Sequence, residues 1–214
     1  SDLSSLCIPV LKAPAKPNES PGSMWQIVTQ PQMVSFWVIT VLLQVSHAPY
    51  YVFFTLYLDD HGYSRALAGQ LWALGVVAEI GLFLIMHHLT HRFSLRGIMI
   101  VSLALTALRW LLTAYFVTSF PILIVAQCLH AFSFGAMHAC SIEVVHRHFD
   151  GSHAGKGQAL YSAASFGVGA ALGASVVGYL WAGFGATATF VFGALVALLA
   201  LFFSVRGIKG NKFI

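Results

Sequence analysis

Charge is what this chain lacks. Only 8% of its 214 residues are Asp, Glu, Lys or Arg, against 58% that are hydrophobic. A soluble domain carries about 25% charged residues because water must wet its surface. A water-soluble enzyme and a nucleic-acid-binding protein are therefore excluded. The net charge of +4 belongs to loops between membrane segments rather than to a DNA-binding face. Cysteine is scarce as well. Cys7, Cys128 and Cys140 have no metal-ligand spacing, and the last two fall on one predicted helix ~18 Å apart, beyond disulfide reach. Neither a metal nor a cofactor is expected from them. At the start of the chain no basic stretch leads directly into an apolar one, so no cleaved signal peptide is expected.

What the chain has in abundance is long apolar runs. A bilayer-spanning helix needs roughly 17–25 residues, and a membrane β-barrel would show short alternating segments instead. Six runs fit the helix, at 33–58, 66–89, 97–116, 121–145, 158–181 and 187–205. The expected architecture is an all-α integral membrane bundle of six helices over residues 33–205. Residues 1–32, with Pro9, Pro14, Pro17 and Pro21, read as a flexible cytoplasmic linker, and 206–214 as a cytoplasmic tail. Met24 to Thr29 have the composition of one interfacial turn with Trp25 at headgroup depth. Nine of the 11 Lys and Arg residues fall on one side of these spans; Arg65 alone, beside Asp59 and Asp60, falls on the other. By the positive-inside rule both termini are cytoplasmic.

Polar residues within the spans follow the helical repeat. Thr40, Gln44, His47, Tyr51 and Thr55 recur on the first, Ser102, Thr106, Arg109 and Thr113 on the third, and Gln127, His130, Phe134, His138 and Ser141 on the fourth. Serine and threonine faces serve as glue between helices. Histidines paired with a glutamine three residues earlier point to a water-filled cavity. Glu79 and Arg109 each lie about twelve residues into their helix, near mid-membrane, so an ion pair between them is geometrically open. The competing reading makes Glu79 a proton carrier, neutral when closed off and charged when wetted. Glu143 and Arg147 have ordinary i,i+4 spacing at a helix end. Pro49 should kink the first helix beside His47, and Gly169 and Gly173 have GxxxG spacing for close packing. His87, His88 and His91 form an HHxxH cluster, but no carboxylate constellation accompanies them. Gly155-Lys156-Gly157 lacks the spacing of a phosphate loop.

Certain strings taken together carry a resemblance: His47-Ala48-Pro49-Tyr50-Tyr51, Gly62-Tyr63-Ser64, Leu71-Trp72 through Glu79-Ile80, Arg109-Trp110, Gln127-Cys128-Leu129-His130-Ala131, Phe134-Gly135-Ala136-Met137-His138 and Gly157-Gln158-Ala159-Leu160-Tyr161. On these the chain resembles the C-terminal half of a major facilitator superfamily transporter. The group is the phenylpropionate permease-like one, which is similar to nucleoside–proton symporters. The resemblance implies helices seven to twelve of a twelve-helix fold, with residues 1–32 linking the halves and the first and fourth spans lining a central cavity. The family's cytoplasmic loop pattern is degenerate, with His91 in place of an acid and Ser94 in place of a glycine.

The expected function is proton-coupled symport of a small organic solute, aromatic monocarboxylates being the family-level expectation, across the plasma (inner) membrane. Gln44, His47, Tyr51, Gln127, His130 and His138 are the expected solute contacts, with Glu79 and Arg109 coupling the proton. The partners are solute, proton, bilayer and an absent amino-terminal six-helix half. Two rivals stand beside it: a membrane di-iron enzyme using the cytoplasmic histidines, and a six-helix assembly partner that never transports.

Overall fold

The computed structural model describes residues 24–149 and 151–208, and over them the chain is helical with no strand. A short helix, α1 (Met24–Val28), precedes α2 (Pro31–Asp60), α3 (Arg65–Arg92) and α4 (Leu95–Tyr115). The next membrane segment is composite: α5 (Phe120–Cys128), a π-helical stretch at Ala131–Ala136, then α6 (Met137–His148). After a 3-10 turn at Gly151–His153 come α7 (Ala154–Ser162), a second π stretch at Ala163–Gly169, and α8 (Ala170–Gly207). Five helical segments are long and apolar enough to cross a bilayer: Pro31–Asp60, Arg65–Arg92, Leu95–Tyr115, Phe120–His148 and Gly151–Gly207. The expected linker lies outside the described residues as far as residue 23, and so does the expected tail from 209.

Local chemistry sets the boundaries. Pro31 and Pro121 open their helices, where a missing N–H costs nothing. Ser64 and Ser94 cap α3 and α4 by accepting from the N–H groups of Leu67 and Gly97 at 3.2 and 3.0 Å. Gly62, with φ +80°, makes the tight turn between α2 and α3.

The fifth segment is 57 residues long. As one straight helix it would measure about 86 Å, far more than a bilayer of ~30 Å. It is broken at Gly185, whose φ of 79° and ψ of −179° are non-helical. The neighbours of its glycines give the direction of each arm. Gly169 and then Gly173 press on Val41/Gln44 and then Val45/Ala48, so the first arm runs parallel to α2. Gly193 and then Gly207 press on Ser46/Pro49 and then Ser35, so the second arm runs back. Both arms of this hairpin are clamped against α2.

Pro49 lies inside a helix assigned without interruption from Pro31 to Asp60. The second arm carries Gly193 opposite Pro49, leaving room for the proline ring and for the Ser46 carbonyl. Two π stretches, Ala131–Ala136 and Ala163–Gly169, interrupt the α-helical pattern further along the chain.

The interior divides into two apolar clusters, one at each end. The first gathers Met33, Phe36, Leu95, Ile98, Met99, Val145, Phe149 and Tyr161; the second Tyr57, Leu58, Ala114, Val117, Leu123 and Phe190. Arg96 donates to the Val205 carbonyl at 2.9 Å, tying the start of α4 to the end of α8, and Gly207 lies against Ser35 at the start of α2. Phe149 packs on Trp37 and Gly157 at that same end. Arg92, Arg96, Arg147, Lys156 and Arg206 therefore share one end, while Arg65 pairs with Asp59 at the other.

Candidate functional site

Between the two clusters sits a polar layer. Arg109 projects from α4 and is fully buried. Its guanidinium packs against two neighbouring aromatic rings, with Cζ 4.3 Å from the ring centres of both Tyr50 and Trp110, which are themselves 5.7 Å apart. One terminal nitrogen donates to Nδ1 of His130 at 3.0 Å and to Oγ of Ser133 at 2.9 Å. A guanidinium only donates, so Nδ1 of His130 is the acceptor and the ring proton of the neutral imidazole sits on Nε2. That nitrogen faces Glu79 of α3, at 3.5 Å from Oε2, a long polar contact rather than a tight hydrogen bond. The order in space is Glu79, His130, Arg109. The direct ion pair that helix depth left open is not what forms: the imidazole stands between carboxylate and guanidinium.

Gly135 explains how Glu79 comes so close. A Cβ built there would lie 2.9 Å from Cγ of Glu79, so the carboxylate stem runs over bare backbone of the π stretch. Glu79 is largely covered, with 14% of its side chain exposed.

The other expected residues fall at graded distances from this centre. Gln127 is buried, and its Oε1 accepts from the Tyr50 hydroxyl at 2.9 Å. His47 is buried; its Nδ1 donates to the Leu43 carbonyl at 2.8 Å, and its ring meets Trp110 edge-on at 5.0 Å. With Nδ1 carrying the proton, Nε2 of His47 is an acceptor, and it has no hydrogen-bond partner. His138 lies one step toward the basic end, with Nδ1 3.0 Å from the Tyr161 hydroxyl. Phe134 is stacked between His130 and His138, at centroid distances of 5.5 and 5.9 Å and interplanar angles of 5° in both cases. Tyr51 is at the rim, 43% exposed, stacked on Trp72 at 6.0 Å. Gln44 stands apart, buried where the first arm of the hairpin presses its Gly169 onto α2.

Four contributors are not apparent from the sequence. Tyr50, Trp110 and Ser133 form the bed of Arg109, and Tyr161 orients His138. Tyrosine and tryptophan in an apolar run read as lipid-facing or interfacial. The available signal was adjacency, since Tyr50 neighbours Tyr51 and Trp110 follows Arg109.

Arg109 retains two buried nitrogens, Nε and the second terminal one, without hydrogen-bond partners; Gln127 Nε2 and Trp110 Nε1 are in the same condition. Donor capacity thus exceeds acceptor capacity in this layer, the electrostatic condition for attracting an anionic group or water. Among the described residues no group of three or more His, Cys, Asp or Glu side chains converges to hold a metal. His87 and His91 do approach each other, at 4.4 Å between rings, on the last turns of α3.

Comparison with known proteins bears on the same segments. The family model described as "MFS_1 like family" matches residues 5–192. The chain is 35% identical over 189 residues to the "Probable 3-phenylpropionic acid transporter" of Escherichia coli (strain K12), covering 88% of this chain and 49% of that relative. The chain thus spans about half the length of the relative it matches. By the breadth of the family match and the level of this identity, the chain belongs to the major facilitator superfamily of membrane transporters, in its MFS_1-like family.

Proposed function

We propose that this chain is the C-terminal six-helix half of a proton-coupled symporter for a small organic acid. The observation that carries the proposal is the Glu79–His130–Arg109 series at bilayer depth, bordered by stacked aromatic rings. In this reading the hairpin at Gly185 supplies spans five and six, residues 1–32 link the halves, and 206–214 form the tail. The five clustered basic residues mark the cytoplasmic side of the inner membrane, with both termini there. An amino-terminal six-helix half completes the cavity, because alternating access requires two bundles rocking about one site.

Each residue has its own part in the chemistry. Arg109 holds His130 in one tautomer with its Nε2 proton aimed at Glu79. A proton arriving from the aqueous side neutralises the Glu79 carboxylate, removing a negative charge beside the imidazole. The excess of donors around Arg109, Gln127 and Trp110 then favours the carboxylate of an incoming solute. Tyr51 and Trp72 offer faces for an aromatic ring and Phe134 an edge, and His47 and His138 offer polar edges to the solute or its water; Gln44 contributes from the α2 side. An aromatic monocarboxylate fits both halves of this site, in keeping with the phenylpropionic acid in the relative's name.

The experiment is uptake of radiolabelled 3-phenylpropionate into vesicles holding the full-length transporter, with and without an imposed pH gradient. Gradient-driven accumulation is expected, and Glu79→Gln should abolish accumulation while leaving solute exchange at equal pH. Uptake indifferent to the gradient, or accumulation retained by Glu79→Gln, refutes proton coupling through this residue.

A further inference from the structure

A pocket lies outside the polar layer, at the basic end of the bundle. It has a volume of about 320 Å³ and is lined by Leu89 and Phe93 from the α3 end, Ser94, Gly97, Ile98, Val101 and Ser102 along α4, and Phe132 from the first π stretch. That volume is at the lower limit of ligand pockets, ~300–1,000 Å³. From Ser94 to Ser102 it follows α4 for about 12 Å at 1.5 Å per residue. Its walls are almost wholly apolar. Phe93 and Val101 are exposed at its edge, so it opens sideways toward the surroundings of the bundle and not into the polar layer.

The mouth has a different character. It lies at the first turn of α4, where unpaired backbone N–H groups carry the positive end of the helix dipole. Arg92 is exposed beside it, with Cζ 5.9 Å from the Phe93 ring, next to the exposed His91. Arg96 is anchored to the Val205 carbonyl but keeps a buried Nε without a partner. No described carboxylate balances these charges. Asp59 and Asp60 are at the opposite end, Glu79 is in the polar layer, and Glu143 is held by Arg147 at 2.8 Å on α6. At the deep end, Ser102 Oγ is buried without a hydrogen-bond partner.

A cationic mouth at the basic end of the bundle over a narrow apolar slot has the chemistry of one molecule, an anionic amphiphile with a long chain. We propose that this pocket is a binding site for an anionic phospholipid of the leaflet at the basic end. The phosphate sits at the start of α4 beside Arg92, and one acyl chain lies in the slot along Gly97, Ile98 and Val101 against Phe132. A lipid held there bridges the α3–α4 turn to the π stretch that carries Phe134. The proposal is independent of the transport reading, since it uses none of the residues of the polar layer.

The test titrates the protein, purified in a neutral detergent, with dioleoylphosphatidylglycerol, dioleoylphosphatidylcholine or sn-glycerol 3-phosphate. Bound molecules are counted by native mass spectrometry. The anionic lipid should bind about fivefold more tightly than the zwitterionic one, the contribution of one surface arginine. Arg92→Gln should bring that ratio to about one, and Val101→Trp, which plugs the slot, should weaken both lipids about tenfold. Val101→Phe serves as a smaller plug should the tryptophan variant melt at a lower temperature without lipid. Equal binding of the two lipids by the unaltered protein overturns the proposal. So does undiminished lipid binding by a folded plugged variant. Binding of glycerol 3-phosphate as tight as that of the lipid shows a free-anion site instead, and equally overturns it.

Discussion

Nδ1 of His130 accepts a hydrogen bond from the Arg109 guanidinium at 3.0 Å, and this fixes which nitrogen of the imidazole is left to face Glu79. Glutamine can imitate one edge of an imidazole, but it cannot accept from arginine and donate to a carboxylate through one rigid ring. His130→Gln is therefore expected to retain solute exchange and to lose most pH-driven accumulation, at least about tenfold. The comparison of exchange with accumulation in the same vesicles checks it.

Arg109 is a planar cation packed against two rings and two hydrogen-bond acceptors. Lysine carries its charge at a point and cannot pack a planar face on Tyr50 and Trp110 while reaching both His130 and Ser133. Arg109→Lys should lower stability by about 3–5 kcal/mol, as when a buried charged network is broken. Thermal melting in detergent would register this, together with near-complete loss of transport.

Tyr50 ties two spans through its hydroxyl and covers Arg109 with its ring, so its two contributions can be separated. Tyr50→Phe keeps the ring and strands Oε1 of Gln127, a cost of about 1–3 kcal/mol. Tyr50→Ala removes both and should cost more. Melting curves of the two variants, measured side by side, should fall in that order.

The hairpin is clamped by glycines on both arms. At Gly173 an added Cβ would stand 2.7 Å from the Ala48 Cβ, and at Gly193 it would stand 2.9 Å from the Ser46 carbonyl oxygen. Gly173→Ala and Gly193→Ala should each destabilise by about 1–3 kcal/mol through overpacking. Gly178→Ala, where nothing lies within 4 Å, is the control and should melt like the unaltered protein.

Much of this layout was legible because a membrane penalises polar groups harshly. The stripe of Ser102, Thr106, Arg109 and Thr113 could face only protein, and all four side chains are buried. Helix depth likewise brought Glu79 and Arg109 to the same level. Depth carries no azimuth, however, so it could not reveal that His130 intervenes. Nor did spacing separate Gln44, on the stripe with His47, from the residues that gather around Arg109. The gap between the last two predicted runs, 182–186, contains Gly185, where the structure breaks the helix. The π stretches were not, because their flanking dihedrals are those of an ordinary helix, as at His130 with φ −55° and ψ −38°. The packing of Pro49 against Gly193 was not legible either, because the two lie far apart in sequence.

The π stretch at Ala131–Ala136 has a geometric consequence for the ring column it carries. In a regular α-helix, residues four apart are offset by about 40° around the axis, so side chains at i, i+4 and i+8 fan out by about 80°. A π turn carries more residues per turn and so reduces that offset, and the rings of His130, Phe134 and His138 lie parallel within 5° from one to the next. Local underwinding works against the fan-out and in favour of a column of three flat groups. A single-residue deletion in this stretch would restore the normal winding and splay that column like the steps of a spiral stair.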